Sequence, residues 1–461
     1  MKKETKKKLG LLACVATGIG AIIGSGIFGS LPAEINEIGG AVILAFILAA
    51  IYTIAKMFPA VYSSSIVPAQ GSFFLAPTKL IHPYVGVYMA IQNLLQPVLI
   101  SVFAVLFADY FCGLFPALAG SERIVAVIVL LIYGVMAYLG NYLFASINSL
   151  IVAVMLVAIA LFVFIGLPNL NPGQLTVSDV FASGVKVSSI GAAVSVLASC
   201  LSGGSAVSQI ADDVKNPRRN IPLALILAPA IVAVIYILMA VVTLGCMDGT
   251  TVNTLDEVAS NFMAPGLVIF FVVGGPICGV LTSMVPVIML TVAQIEKAAE
   301  CGLFPEFLAK KNKHGVCTWV LIYTMLFAIV CAATGSSFGV LMTVFSAVNA
   351  LSDIPTCIVP FFLRKKYPHA CNHPGIKFGF GLVAVLAVFA AVVAAWLAVS
   401  AFASLGAGVW GLVLGFMACA LIYFIIRIRY LKSKGRDLVE ELKQPYQPWE
   451  DREAECAKLD A

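Results

Sequence analysis

The stretch GIGAIIGSGIF, residues 18–28, sets Gly18, Gly20, Gly24, Ser25 and Gly26 inside an apolar run that extends from Leu9 to about Leu31. A helix in hydrocarbon must pair every backbone group within itself, and each interior Gly weakens it by about 1 kcal/mol. Close packing against a neighbour accounts for Gly18, Gly20 and Gly29. It does not account for Gly24 and Gly26 flanking Ser25, because residues so close in sequence lie on different helix faces. This run reads as a helix broken at mid-depth. A second run does the same at Ser199, Cys200, Leu201, Ser202, Gly203, Gly204 and Ser205. The two breaks lie five spans apart, at matching places in two halves of the chain, and paired interruptions of this kind point to a transporter built from inverted repeats around a midplane site. Where a helix unwinds, free N–H groups face an anion and free C=O groups face a cation. A zwitterion satisfies both.

The composition agrees. Of 461 residues, 61% are hydrophobic and 11% charged, against about a quarter charged in a soluble chain. A soluble enzyme is excluded, and so is a nucleic-acid partner. Apolar runs of about 20 residues, the length that crosses the bilayer core, number about twelve, near 10–31, 39–62, 84–115, 122–140, 144–167, 188–211, 221–246, 265–295, 317–334, 338–363, 378–402 and 407–429. Placing the N-terminus inside leaves only Arg123 and Lys186 outside among the 28 Lys and Arg. So steep a bias predicts both termini in the cytoplasm and a plasma-membrane location, a bacterial inner membrane in the simplest case.

The expected organisation is a basic N-terminus (1–9), a first repeat (10–167), an external loop (168–187), a second repeat (188–363), a cytoplasmic loop (364–377), two further helices (378–429) and a cytoplasmic tail (430–461). The first apolar run is longer than a secretory h-region and lacks a cleavage pattern, so it reads as a retained span. The twelve Cys are scattered singly, without a CxxC, and read as small core residues. His369, Cys371 and His373 alternate in a basic loop, but a zinc site needs a second ligand pair and none is near. No metal and no cofactor are expected. Nor is an enzyme: HExxH, a P-loop and paired intramembrane aspartates are all missing, and the four His lie in loops.

These breaks, together with IADDVKNPRRNIPLA (210–224), PAQGSFF (68–74), AAECGLFPEFLAK (298–310) and LSDIPTCIVPFFLRKKYP (351–368), resemble the amino acid–polyamine–organocation superfamily of permeases. The likeness covers roughly residues 10–380, and DVKNPRRNIP is its most specific part. It implies an all-α polytopic membrane protein of about twelve transmembrane helices: a five-plus-five inverted repeat with broken helices 1 and 6, plus two additional helices, working by alternating access. It implies further that backbone N–H groups at Ser25 and Gly26, beside Gly24, hold a substrate carboxylate, and that carbonyls at Ser199, Leu201 or Ser202 hold its amino group.

The sequence departs from the family pattern where an aromatic lid and a glutamate are common in span 6. Ser199 and Gly203-Gly204-Ser205 stand there instead, which predicts a roomier, hydroxyl-lined pocket beside Cys200. Met155 occupies the place where some proton-coupled relatives carry a lysine, so a lysine-switched mechanism is not expected. A sodium ion would need oxygen ligands, for which Thr282 and Ser283 are the candidates, although such hydroxyls commonly bond their own helix. Asp109 in span 3 is a candidate partner for a cation or proton, with an interfacial placement as the alternative. Asp213, in the loop after span 6, is the candidate gate residue. Lys56 is expected to snorkel to the cytoplasmic surface, and Asp353 to cap a break before Pro355. The expected function is secondary transport of amino acids by exchange or facilitated uptake. Transport of an amine, polyamine or other small solute, and sensing without transport, are the alternatives. The oligomeric state is not legible.

Overall fold

The computed structural model describes residues 10–24, 26–67, 72–139, 145–171, 173, 184–203 and 214–460. Among them helices predominate, joined by loops, with an isolated β-bridge between Lys311 and Cys317. Nine helical stretches are long and apolar enough to cross a membrane, and shorter apolar helices at Leu11–Ile22, Val187–Cys200 and Thr318–Ala333 lie where the sequence places spans 1, 6 and 9. The protein is a polytopic all-α membrane protein.

Span 1 is two helices, α1 (Leu11–Ile22) and α2 (Gly26–Ile38), followed by α3 (Val42–Ile66). Span 3 is α4 (Pro83–Leu95) and α5 (Pro97–Leu114), with Pro97 opening the second part. Spans 4 and 5 are α6 (Glu122–Leu139) and α7 (Ala145–Gly166). Span 6 begins as α8 (Val187–Cys200), and span 7 is α9 (Pro217–Cys246). Span 8 comprises α10 (Pro265–Val272), a π-helical turn at Val273–Ile277 and α11 (Cys278–Glu300). Then come α12 (Thr318–Ala333), α13 (Phe338–Lys366), α14 (Phe380–Ser404) and α15 (Ala407–Ser433). Asp353 does not cap a break, since α13 runs unbroken through Pro355 and Pro360.

Packing places the two broken spans at the centre. α8 touches α2, α3, α13 and α14, while α1 and α3 both lie along α9. Large apolar side chains left exposed, such as Ile124, Leu131 and Val135 on α6 and Val385, Val388 and Val392 on α14, form the outer belt that meets lipid. α15 is the most lipid-facing span.

The tail is ordered and docked. α16 (Leu438–Lys443) and α17 (Gln447–Asp460) fold back on the basic face of the bundle, burying Leu438, Leu442, Trp449 and Cys456. Asp460 receives His369 Nδ1 at 2.8 Å and His373 Nε2 at 2.7 Å on its two oxygens, with Asn372 Nδ2 at 3.1 Å. Glu453 accepts the backbone N–H groups of His369 (3.0 Å) and Ala370 (2.7 Å), and Tyr367 donates to Glu450. The two histidines of the alternating trio are therefore carboxylate partners, and no metal-binding cluster occurs among the described residues. The clamped loop in turn presses Gly375 on Arg218 at the start of α9 and bonds Ser65 O at the end of α3.

Hydrogen bonds from His369, Asn372 and His373 hold the Asp460 carboxyl down at about 2. A depressed carboxylate contributes stability above its ordinary value of about 3.9 and loses it as pH falls through the folded value. The tail contact should accordingly persist from neutral pH to about pH 4 and be released between about pH 4 and 2. Asp460→Asn should loosen it already at pH 7, seen as faster amide hydrogen exchange in 367–375 with the transmembrane helices unchanged.

Candidate functional site

α1 stops at Ile22 because the chain turns sharply there: Ile23 N–H still reaches Ile19 O at 2.8 Å, but Gly24 N–H turns back to Ile22 O at 2.7 Å. α2 restarts at Gly26. Its first-turn N–H groups have no carbonyl behind them, as at any helix start. In span 6, α8 ends at Cys200, and Leu201 N–H closes on Ala198 O at 3.2 Å in a tightened last turn. The carbonyl end of α8 and the amide end of α2 thus both fall inside the packed bundle.

The two breaks touch. A Cβ on Gly203 would collide with the Ala21 carbonyl oxygen and stand 2.8 Å from the Ala21 carbonyl carbon and 3.0 Å from Ile22 Cα, all backbone atoms of α1. A Cβ on Gly26 would lie 3.2 Å from Cys200 Sγ. Cys200 itself donates to Ser30 Oγ at 3.2 Å, so Gly26 and Ser30, one turn apart on α2, both rest on the end of α8. Tyr236 of α9, fully buried, donates to Ile22 O at 3.2 Å and covers the end of α1 from the other side. Glycine at 203 is what lets backbone approach backbone, and glycine at 26 makes room for the Cys200 thiol.

The expected site residues fall into three groups. Gly24, Gly26, Cys200, Leu201, Ser202 and Gly203 converge on the junction, with Ser199 one turn back. Ser283 joins them from α11, its Oγ so close to Gly24 that a Cβ there would overlap it; that buried hydroxyl has no hydrogen-bond partner among the described residues. Thr282 instead spends its hydroxyl on Gly279 O at 3.0 Å. The serine hydroxyls of span 6 do likewise, Ser199 on Ser195 O (3.0 Å) and Ser202 on Ala198 O (2.7 Å). The described hydroxyls of span 6 are thus taken up by their own helix. Asp109 lies apart, exposed in the last part of α5. Ser25, Gly204, Ser205 and Asp213 lie outside the described residues.

Two features escaped the sequence reading. Glu34 lies on α2 at four-residue spacing from Ser30 and Gly26, hence on the same face, and is buried. That spacing was the available signal. The other is Lys56, which does not snorkel: its ammonium is buried and pairs with Asp353 Oδ2 at 2.8 Å. Nothing local in either sequence could join two residues 297 positions apart. A phenylalanine cluster backs the junction, with Phe28 edge-on to Phe271 (6.0 Å) and Phe162 stacked on Phe271 (4.8 Å), beside Gly275 in the π turn.

Because Gly203 meets backbone that cannot rotate away, Gly203→Ala should cost about 1–3 kcal/mol by overpacking and push the two breaks apart. Gly26→Ala meets only a thiol, so a Cys200→Ala background should relieve it. Thermal unfolding in detergent should show a large fall for Gly203→Ala, a smaller one for Gly26→Ala, and recovery in Gly26→Ala/Cys200→Ala.

Comparison with known proteins places this geometry. The amino acid permease family matches residues 9–428. The chain is 27% identical to the methylthioribose transporter of Bacillus subtilis (strain 168), over 86% of this chain and 88% of that one. It is 25% identical to the human b(0,+)-type amino acid transporter 1, over 56% of this chain and 55% of the relative. With the serine/threonine exchanger SteT of B. subtilis it shares 24% identity, over 60% and 63%. A broken-helix junction at mid-span and a match across nearly all of the sequence lead to one conclusion: the chain belongs to the amino acid permease family and is a membrane transporter, not an enzyme.

Proposed function

We propose that the protein carries small zwitterionic amino acids across the plasma membrane by alternating access, through exchange or facilitated uptake. The observation that supports this most is the junction itself, where the amide end of α2 and the carbonyl end of α8 come together beside the Gly203–Ala21 contact. The N–H groups at Ser25 and Gly26 hold the substrate carboxylate, which the positive end of a helix favours. Carbonyls at Ser199, Leu201 or Ser202 hold the ammonium. Residues 10–167 and 188–363 are the two inverted repeats, the basic face that carries the tail is cytoplasmic, and Asp213 belongs to the gate on that face.

A second reading follows from Glu34. A buried carboxylate two turns along α2 from Gly26 suits an amine or another solute with a cationic or hydroxylated end, and one relative is named for methylthioribose. Sensing without transport is the third.

Proteoliposomes preloaded with unlabelled solutes decide among these. Labelled neutral amino acids should enter faster when amino acid is inside. Analogues with the carboxylate esterified should bind at least about tenfold more weakly, given about 1.5–3 kcal/mol for hydrogen bonds to a charged group. Uptake of methylthioribose or an amine, with amino acids inert, would move the conclusion to the second reading; binding without any flux would move it to the third.

A further inference from the structure

Between α4 and α13 the surface holds an apolar groove of about 340 Å³, with Val85 and Tyr88 on one wall and Ile354, Pro355 and Ile358 on the other. The carbonyl that its proline would leave bare is already satisfied. Pro355 has no N–H to give to the residue four positions back, which frees Leu351 O, and Tyr88 Oη donates to that oxygen at 2.8 Å. The floor of the groove therefore asks for no hydrogen bond from what fills it. Both walls belong to stretches long and apolar enough to cross a membrane. Tyr84 and Ile358 stay 58% and 36% exposed at its edges, so hydrocarbon is its natural filling.

One end of the groove is aromatic and basic. His82 stacks on Tyr84 with ring centroids 5.2 Å apart, and its Nδ1 accepts the Tyr84 N–H at 3.3 Å, which fixes both rings at the start of α4. Side chains with an apolar body and a polar edge collect at the level of lipid headgroups. Beyond these rings stand three lysines. Lys365 follows Ile358 by seven residues, hence on the same face of α13 and about 10 Å further along it. Lys366 Nζ donates to Lys79 O at 3.4 Å, in the turn before α4, and Lys79 Nζ donates to Glu441 O at 3.4 Å. None of the three pairs with a carboxylate among the described residues, whereas Lys297, Lys311, Lys432 and Lys443 each do. The nearby acids of the tail are taken, Glu440 by Lys443 and Glu441 by Arg436. Burial above all, with the Lys366 ammonium adding to it, holds Lys79 below its ordinary pKa, and an anion beside the two would offset their repulsion.

We propose that this groove is a binding site for an anionic phospholipid, with an acyl chain laid between α4 and α13 and the phosphate on Lys79, Lys365 and Lys366. Charge decides the class. A zwitterionic headgroup would bring its own cation to three ammonium groups that lack a carboxylate, and a polar solute would find little to bond on the groove walls. A second copy of the chain, seated about a two-fold axis through the groove, would set the same lysines against each other. An anionic lipid meets both demands at once, apolar area along the walls and negative charge at one end. Neither wall carries a residue of the junction between α2 and α8, so the site stands whatever solute the protein moves.

The purified full chain, offered equal amounts of phosphatidylglycerol and phosphatidylcholine with the same acyl chains, tests this by native mass spectrometry. The anionic lipid should be retained at least about fivefold over the zwitterionic one, the worth of a single lysine beside an anionic headgroup. Lys365→Gln/Lys366→Gln should bring that ratio toward unity. Lys310→Gln/Lys313→Gln, an equal change of charge at two other exposed lysines, should leave it as in the wild type. Ile358→Trp, which fills the groove and keeps every lysine, should lower retention of the anionic lipid by a similar factor. A ratio near unity in the wild type, an unchanged ratio in the first lysine pair, or an equal fall in both pairs would overturn the proposal. So would full retention in Ile358→Trp, or displacement of the lipid by glycerol phosphate, which carries the charge without a chain. Dimers that exclude lipid would give the face to a second copy and overturn it as well.

Discussion

An unpaired amide in hydrocarbon costs several kcal/mol, yet this chain ends α1 at Ile22 and α8 at Cys200 inside the packed bundle, and what surrounds those ends makes that tolerable. The solution is mutual: Gly203 lies on the carbonyl end of α1, Gly26 on the thiol at the end of α8, and Tyr236 covers Ile22 O. Ile22, Ile23 and Cys200 are all buried there. The contact brings two opposite helix ends together, which on the proposed reading is the arrangement a substrate with both charges completes.

On the proposed reading the site binds its substrate through main-chain groups, and that has an energetic logic. Backbone N–H and C=O groups at helix ends are fixed by the helices that carry them, so binding demands little side-chain ordering. The hydroxyls that might have competed for a substrate are largely occupied, Ser199, Ser202 and Thr282 each bonding its own helix. Ser283 is the exception, buried and pressed on Gly24.

Much of this was legible in the sequence because its cause is local. Gly24-Ser-Gly26 and Ser202-Gly203 announce the breaks, and hydropathy with charge bias announces the spans. The details that depend on the third dimension were not. Asp353 beside Pro355 reads locally as a cap, while its actual partner comes from another helix. The tail looks like a solvated mixture of charges, and only the positions of His369, His373 and Asn372 in space turn Asp460 into a clasp. Glu34 lay between the two: its spacing from Ser30 and Gly26 was visible, but only the packing of α2 on α8 gives it meaning.

The π turn at Val273–Ile277 carries a consequence of another kind. A π turn amounts to one extra residue threaded into an α-helix, and it allows the two ends of the helix to face directions that a regular helix could not offer together. Here the residues before it set Phe271 against Phe28 and Phe162, and those after it set Ser283 against Gly24. Deleting a single residue from the turn would rotate all of α11 by about 100° about its axis, carrying Ser283 away from the junction while leaving the hydropathy profile nearly untouched. In this span the count of residues, more than their chemistry, sets what faces the junction.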